Sequence, residues 1–339
     1  MSFMANPLLF HFSFASFALK LLRCWFAVSV LGALASAAYA QSYPIRPIRM
    51  VMPFPPGGNV DTLGRVLARQ LEIQLGQPVV VDNRGGANGI LGVDIVAKAV
   101  PDGYTLLDTS FSFVVNPSIY RKLPYDTERD FVPITNFAMG LGYVLVSNPS
   151  SQVNSVKDLV AMAKKTSLRY SSPGIGNGQH LAGELLATKA GIQLLHVPYK
   201  GGGPALTAAL GGEVQLTFTA AAVGAPHIKS GKLKALGFSG ASRLAALPDV
   251  PTIAEAGIPG FAYDSGWHGL FAPARTPAAI IDRIYSEAAK AVQEPKLREL
   301  LVSGGYEPKA DSPAEFAKVF RADIRKYRDI VKVARIEPQ

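Results

Sequence analysis

Cysteine is nearly absent from this chain. Its 339 residues include one, Cys24, and that one lies in an N-terminal stretch with the character of a removable signal. Without that stretch no disulfide can form and no thiol can act as nucleophile. Charge is also sparse, at 17% of residues, and the net charge of +9 is spread along the chain. There is no Lys/Arg run of the kind that marks a nucleic-acid or membrane-surface patch. No apolar run reaches the roughly 20 residues of a membrane span. Fixed-period repeats and low-complexity tracts are missing too. These absences leave a globular chain, long enough for two α/β lobes.

Residues 1–40 stand apart from the rest. They carry Lys20 and Arg23, no acidic residue, an apolar stretch Trp25–Ala38, and Ala38-Tyr39-Ala40 ahead of Gln41. A basic segment, a short apolar core and an A-x-A site in that order predict a secretory signal, cleaved after Ala40, and a periplasmic protein. The mature chain would keep 299 residues and a net charge of +7, having lost Lys20 and Arg23.

Glycine and proline, at 32 and 25 residues, are plentiful and clustered. The apolar run Ile48–Pro53 predicts a strand. Pro55, Pro56, Gly57 and Gly58 then turn the chain onto an amphipathic helix over Thr62–Leu75. Such a turn aims unpartnered backbone N–H groups, and the positive end of the helix, at one point, where an anion is favoured. Asn83–Gly89 is a second glycine-rich turn before a helix, and Pro101-Asp-Gly103 turns into strand Tyr104–Leu107, closing a β-α-β-α-β unit. Val79–Val81, wholly apolar, predicts a buried parallel strand, and Ser110–Asn116 a loop at a strand's carboxyl end, where open α/β sheets place ligands.

Two further strand–glycine–helix turns follow, Pro173–His180 and Pro198–Pro204. Tyr143–Ser147 and Trp267–Pro273 are expected to cross between lobes, and everything after Pro273 to be helical. The pattern predicts an α/β protein of two doubly wound domains joined by two crossing strands. Its lobes would run over 41–142 with 264–339, and over 143–263. Anion-binding turns from both lobes would line the cleft, which suits a ligand with a carboxylate at each end. None of the turns is a phosphate loop, because the Lys-Ser/Thr and G-x-G-x-x-G patterns are missing.

Ordered motifs carry a resemblance: Tyr43-Pro-x-Arg-Pro-Ile-Arg, Pro53-Phe-Pro-Pro-Gly-Gly-x-x-Asp61, Leu75-Gly-Gln-Pro-Val, Asn83-Arg, Pro101-Asp-Gly-Tyr-Thr, His180-Leu-x-x-Glu184, Val197-Pro-Tyr-Lys-Gly201, Asp249-Val-Pro-Thr and Ala272-Pro. Over essentially the whole mature chain it resembles a Bug-type solute receptor of the tripartite tricarboxylate transporter family. The resemblance implies a type II, two-lobed periplasmic binding protein. It would close on a small carboxylate, held largely by backbone N–H groups and water, and deliver it to membrane permease subunits. Position by position it implies Phe54, Gly57, Gly58 and Asp61 in the first binding turn. Gly174, Gly176, Asn177 and His180 fall in the second, Tyr199 and Gly201 in the third, with Ser110 at a strand end. Pro173, Asn177, Gly85, Thr219 and His268 depart from the usual pattern, and the second-lobe departures bear on the ligand rather than the fold.

No cofactor, metal or nucleic acid is expected, and the protein is expected to be a monomer and not an enzyme. His180 and Glu184 share a helix face as metal ligands do, but a third ligand motif is missing. Asp61 has two readings, ligand contact or a carboxylate serving the N–H donors of its own helix. The alternatives in function are a periplasmic sensor for a two-component system and an exported hydrolase on the same fold.

Overall fold

The computed structural model describes residues 43–333, so the expected signal peptide lies outside the described residues. From Arg46 onward the chain forms one body with two sheets. In chain order its elements begin β1 (Ile48–Met52), α1 (Asn59–Leu75), β2 (Val79–Asn83), α2 (Ile90–Ala97), β3 (Thr105–Ser110), α3 (Ser112–Ile119) and β4 (Phe131–Gly140). Next come β5 (Val144–Ser147), α4 (Val156–Ala163), β6 (Leu168–Ser172), α5 (Gly178–Ala190), β7 (Leu194–Pro198), α6 (Gly202–Leu210), β8 (Leu216–Thr219), α7 (Ala221–Lys229) and β9 (Lys234–Phe238). The chain ends with β10 (Gly266–Pro273), α8 (Ala278–Gln293), α9 (Pro295–Ser303), β11 (Tyr306–Pro308) and α10 (Pro313–Val333).

The first sheet has the order β11-β4-β10-β3-β1-β2 and the second β7-β6-β8-β5-β9. Each is mixed. In the first, β1 pairs parallel with β2 and β3 while β10 runs antiparallel to β3 and β4. In the second, β6 pairs parallel with β7 and β8, and β5 lies antiparallel to β8 and β9. This is the expected pair of α/β lobes.

The Tyr143–Ser147 run is apolar because β5 is buried on both faces. Val144 and Val146 join Leu206, Ala209 and Phe238 on one side, and Leu145 joins Leu168, Tyr170 and Phe218 on the other. A doubly covered strand shows no alternation, so its sequence gives no face. The chain passes between sheets on either side of strands that belong to one sheet each, at residues 141–143 and 239–265. Val79–Val81 pairs parallel as expected, but β2 is the sheet edge and Val80 is 54% exposed.

Two elements differ from the sequence expectation. Residues 112–119 form α3 although Pro117 lies within it, where the sequence suggested a loop. The short β11 pairs with β4 in a region expected to be all helix. Its residues Tyr306–Pro308 are too few to show a period. The last helix, α10, places Phe316, Phe320, Ile324, Tyr327 and Val331 at helical spacing in the core that also holds Val51, Phe113, Trp267 and Phe271. Trp267 is fully buried, donates from Nε1 to Asp323 at 2.8 Å and meets Phe316 edge-on with centroids 5.2 Å apart. It is a packing residue.

Candidate ligand-binding site

The turn after β1 is braced from within. Asp61, in the first turn of α1, accepts from the Gly57 N–H at 3.0 Å, from Arg65 Nε at 2.9 Å and from Asn83 Nδ2 at 2.9 Å. The same Asn83 amide donates to the Phe54 carbonyl at 3.0 Å. Burial pushes the Asp61 pKa up, but hydrogen bonds from Arg65, Gly57 and Asn83 outweigh it and hold the carboxyl below its usual range. Asp61 therefore stays ionised and clamps its own turn. Gly57 has φ 82°, a left-handed conformation that glycine adopts without steric cost. Gly58 then starts α1 with no side-chain cap, leaving first-turn N–H groups without intrahelical partners.

The Pro198–Pro204 turn repeats this construction in the second lobe. Gly201, at φ 134°, begins α6, again with no side-chain cap. The Pro173–His180 turn is built differently. Asn177 caps α5 by accepting from the Gln179 N–H at 3.1 Å, and the Gly176 N–H donates to His180 Nδ1 at 3.0 Å. His180 stacks on His196 with centroids 4.0 Å apart, and His196 Nε2 lies 2.6 Å from Ser172 Oγ. Ser172 Oγ in turn accepts from the Gly174 N–H at 3.2 Å and donates to the Gly174 carbonyl at 3.1 Å. With its one proton on Gly174, the serine accepts from His196 Nε2–H. Burial holds His180 at about 4, while burial and then the neighbouring His180 hold His196 at about 3, so both rings are neutral.

The first and third turns meet across the lobes. A Cβ on Gly58 would lie 3.7 Å from the backbone N of Gly202 and of Gly203, one on Gly201 2.5 Å from Pro55 Cδ, and one on Gly203 2.8 Å from the Pro56 carbonyl oxygen. The positive ends of α1 and α6 thus abut, an arrangement that an anion between them stabilises. Beside this contact is a cavity of about 220 Å³ with Phe54, Asn88 and Tyr120 on the first-lobe side and Gly174, Tyr199 and Lys200 on the second. A larger hollow of about 960 Å³ is walled by Leu181, Tyr263, Tyr306 and Tyr327 among others, and has neither helix end nor glycine turn from the expected set. The small cavity takes Phe54, Gly174 and Tyr199 from the three expected turns, one from each.

Of the expected residues, Phe54, Gly174 and Tyr199 line that cavity, and Gly57, Gly58 and Gly201 form the contact beside it. Asp61, Asn177 Oδ1 and His180 Nδ1 bond within their own turns. Gly176 packs on Ile119 of α3, where a Cβ would overlap the side chain. Ser110 is buried against Ser112 Oγ at 2.9 Å and does not line the cavity. Gly86–Gly89 was missed as a lining segment, although its glycine run was visible in the sequence.

A cleft between two mixed α/β lobes, faced by uncapped helix N-termini, defines a two-lobed solute-binding protein. The chain belongs to the tripartite tricarboxylate transporter receptor family, whose TctC model matches residues 63–336. Over 303 residues it is 36% identical to the BugT protein of Bordetella pertussis, covering 88% of this chain and 92% of that one. The structure of the periplasmic binding protein BugD superposes with a TM-score of 0.83 at 33% identity, covering 88% of this chain and 100% of that one. That of R. palustris Rpa4515 with adipate gives a TM-score of 0.83 at 32% identity, with the same coverage of 88% and 100%. The Bug-type resemblance read from the motifs is therefore correct.

Two predictions follow from this geometry. Gly203 has no positive φ, so Gly203→Ala adds only a methyl group at the lobe contact. It is expected to lower ligand affinity about ten-fold or more while leaving the melting temperature of the free protein within about 2 °C, as for a substitution outside the core. Calorimetric titration and thermal melting check this. The second concerns acid. His180, His196 and His268 are held near about 4, about 3 and about 3, below the usual 6.5. In the unfolded chain they take up protons first, so unfolding binds protons between those values and 6.5, and their contribution to stability falls as pH falls through that window. Melting temperature is expected to drop from pH 7 to pH 4.5, less steeply in His196→Phe; equal slopes would contradict it.

Proposed function

We propose that the protein is an extracytoplasmic receptor that captures a small carboxylate between its lobes for a tripartite tricarboxylate transporter. The observation that carries this is the abutment of two uncapped helix N-termini, at Gly58 and Gly202, beside a cavity of about 220 Å³. Each end contributes roughly 0.3–2 kcal/mol toward an anion. The adipate held by the R. palustris relative supports a carboxylate. The lobes proposed are 41–142 with 264–339, and 143–263. Phe54, Gly174 and Tyr199 wall the ligand, and Gly57, Gly58 and Gly201 supply or admit backbone donors. Gly176, Asn177, His180 and Asp61 act by holding those turns in place, and Ser110 stands at the strand end nearby.

In this reading the ligand is bound and released with no bond broken. Its partners are the carboxylate and the permease subunits in the membrane. The protein acts as a monomer in the periplasm after cleavage at Ala40. Among the described residues no helix is long and apolar enough to cross a membrane, which fits a receptor that hands its ligand to a separate permease.

A thermal-shift screen over mono-, di- and tricarboxylates, amino acids and neutral solutes tests the proposal. At least one carboxylate is expected to raise the melting temperature by several degrees, as binding at a hundred-fold excess over Kd contributes about 2.7 kcal/mol. Stabilisation by neutral solutes alone would refute it.

A further inference from the structure

The hollow of about 960 Å³ has no part in the carboxylate reading, and it lies where the two lobes join. Leu181 and Leu185 of α5 wall it from the second lobe, Val302 and Tyr327 from the first, and Leu141 and Tyr263 from the two interlobe connections. Leu141 and Val302 are 45% and 50% exposed, so part of this apolar wall is open to water. Five charged side chains also line the hollow: Glu184, Arg243, Asp264, Lys326 and Asp329. Both cations have partners. Arg243 donates to Glu255 at 2.9 Å and to the Pro248 carbonyl at 3.2 Å. Lys326 attracts the Asp323 carboxyl on its own helix, and its Nζ lies 5.2 Å over the Tyr327 ring. The three carboxylates are not matched in this way. Tyr170 Oη donates to Glu184 at 2.7 Å and the Gly266 N–H to Asp264 at 3.1 Å, and neither donor cancels a charge. The His180 ring 3.7 Å from Glu184 is neutral. Among the described residues, none of the three forms an ion pair with a lysine or arginine.

From this we infer that the hollow is a second ligand site, for an organic cation with an apolar body. Its volume falls within the roughly 300–1,000 Å³ of small-molecule pockets. Its leucines, valine and tyrosines remove an apolar body from water. Its carboxylates favour a positive head and oppose a negative one. Aromatic rings attract cations at their faces, and one ring of the wall, Tyr327, already has a cation at its face. The cleft and the hollow therefore take ligands of opposite charge. The two are also linked. Walls drawn from both lobes and both connections give an occupant different contacts whenever the lobes move. Filling the hollow then changes the affinity of the carboxylate cleft, and filling the cleft changes that of the hollow by the same factor.

The test titrates the full mature protein with phenylbutylammonium, phenylbutanol and phenylbutyrate, which share an apolar body and differ in charge, while amide and methyl resonances are followed. The ammonium is expected to shift Leu181, Leu185 and Val302 and to bind there about ten-fold tighter than either companion. Asp264 and Asp329 are exposed and lie outside the carboxylate cleft. Replacing both, Asp264→Asn with Asp329→Asn, is expected to bring that ratio near one while leaving the melting temperature within about 2 °C. Saturating phenylbutylammonium is expected to change the Kd of the tightest-binding carboxylate from the screen about five-fold or more. No binding of the ammonium at the hollow, equal or tighter binding of phenylbutyrate there, or a ratio unmoved in the double variant overturns the cation site. An unchanged carboxylate Kd overturns its linkage to the cleft. Each of these results leaves the carboxylate reading intact. If no carboxylate binds, that reading fails while the ammonium titration still decides the hollow.

Discussion

The structure depends on one electrostatic arrangement, two helices directed N-terminus to N-terminus across a cleft. The positive ends of α1 and α6 repel, and their first-turn N–H groups have no intrahelical partners. With Gly58 packed against Gly202 and Gly203, a negative group beside the two ends offsets that repulsion. This also explains why glycine stands at the contact, since Pro55 and Pro56 leave no room for a Cβ at Gly201 or Gly203.

Much of the buried polarity holds these turns in shape. Asp61 fixes Gly57 and, through Asn83, Phe54. The stacked His180 and His196, with Ser172, fix Gly174 and Gly176. Behind α1, Asn59 donates to both Tyr306 Oη and His268 Nε2, linking the start of the helix to β11 and β10. Asp108 lies under the same helix with neither carboxyl oxygen bonded, and a Cβ on Gly64 would overlap it. Burial, and then the Asp61 charge, push its pKa well up, so it is kept neutral. Buried polar groups are high-stakes when partly satisfied, and here they cluster around the two lobes' ligand-facing turns.

Much of this was legible from residue order. Glycine pairs behind apolar strands announced the turns, and the apolar spacing from Phe316 to Val331 announced the packing of α10. What escaped the sequence was direction. Asn177 and His180 have the residue types of ligand contacts, yet their polar atoms turn inward to a cap and a Gly176 N–H. Asp61 had two readings, and its bonds to Gly57 N–H and Asn83 are those of the turn-bracing one. The Gly86–Gly89 turn looked like an ordinary βα connection because its place opposite Gly174 is set by how the lobes meet. The apolar Val79–Val81 run misled for a related reason. Strand order, not composition, put β2 at an edge.

The central claim, that backbone donors at two opposed helix ends hold the ligand, is most directly tested by amide resonances. The tightest-binding carboxylate from the screen would be titrated into isotope-labelled protein. The largest downfield amide-proton shifts are predicted at Asn59 and Val60 of α1 and at Gly202 and Gly203 of α6. Unmoved amides there, with shifts gathered instead around Leu181, Tyr263 and Tyr306 of the larger hollow, would contradict it.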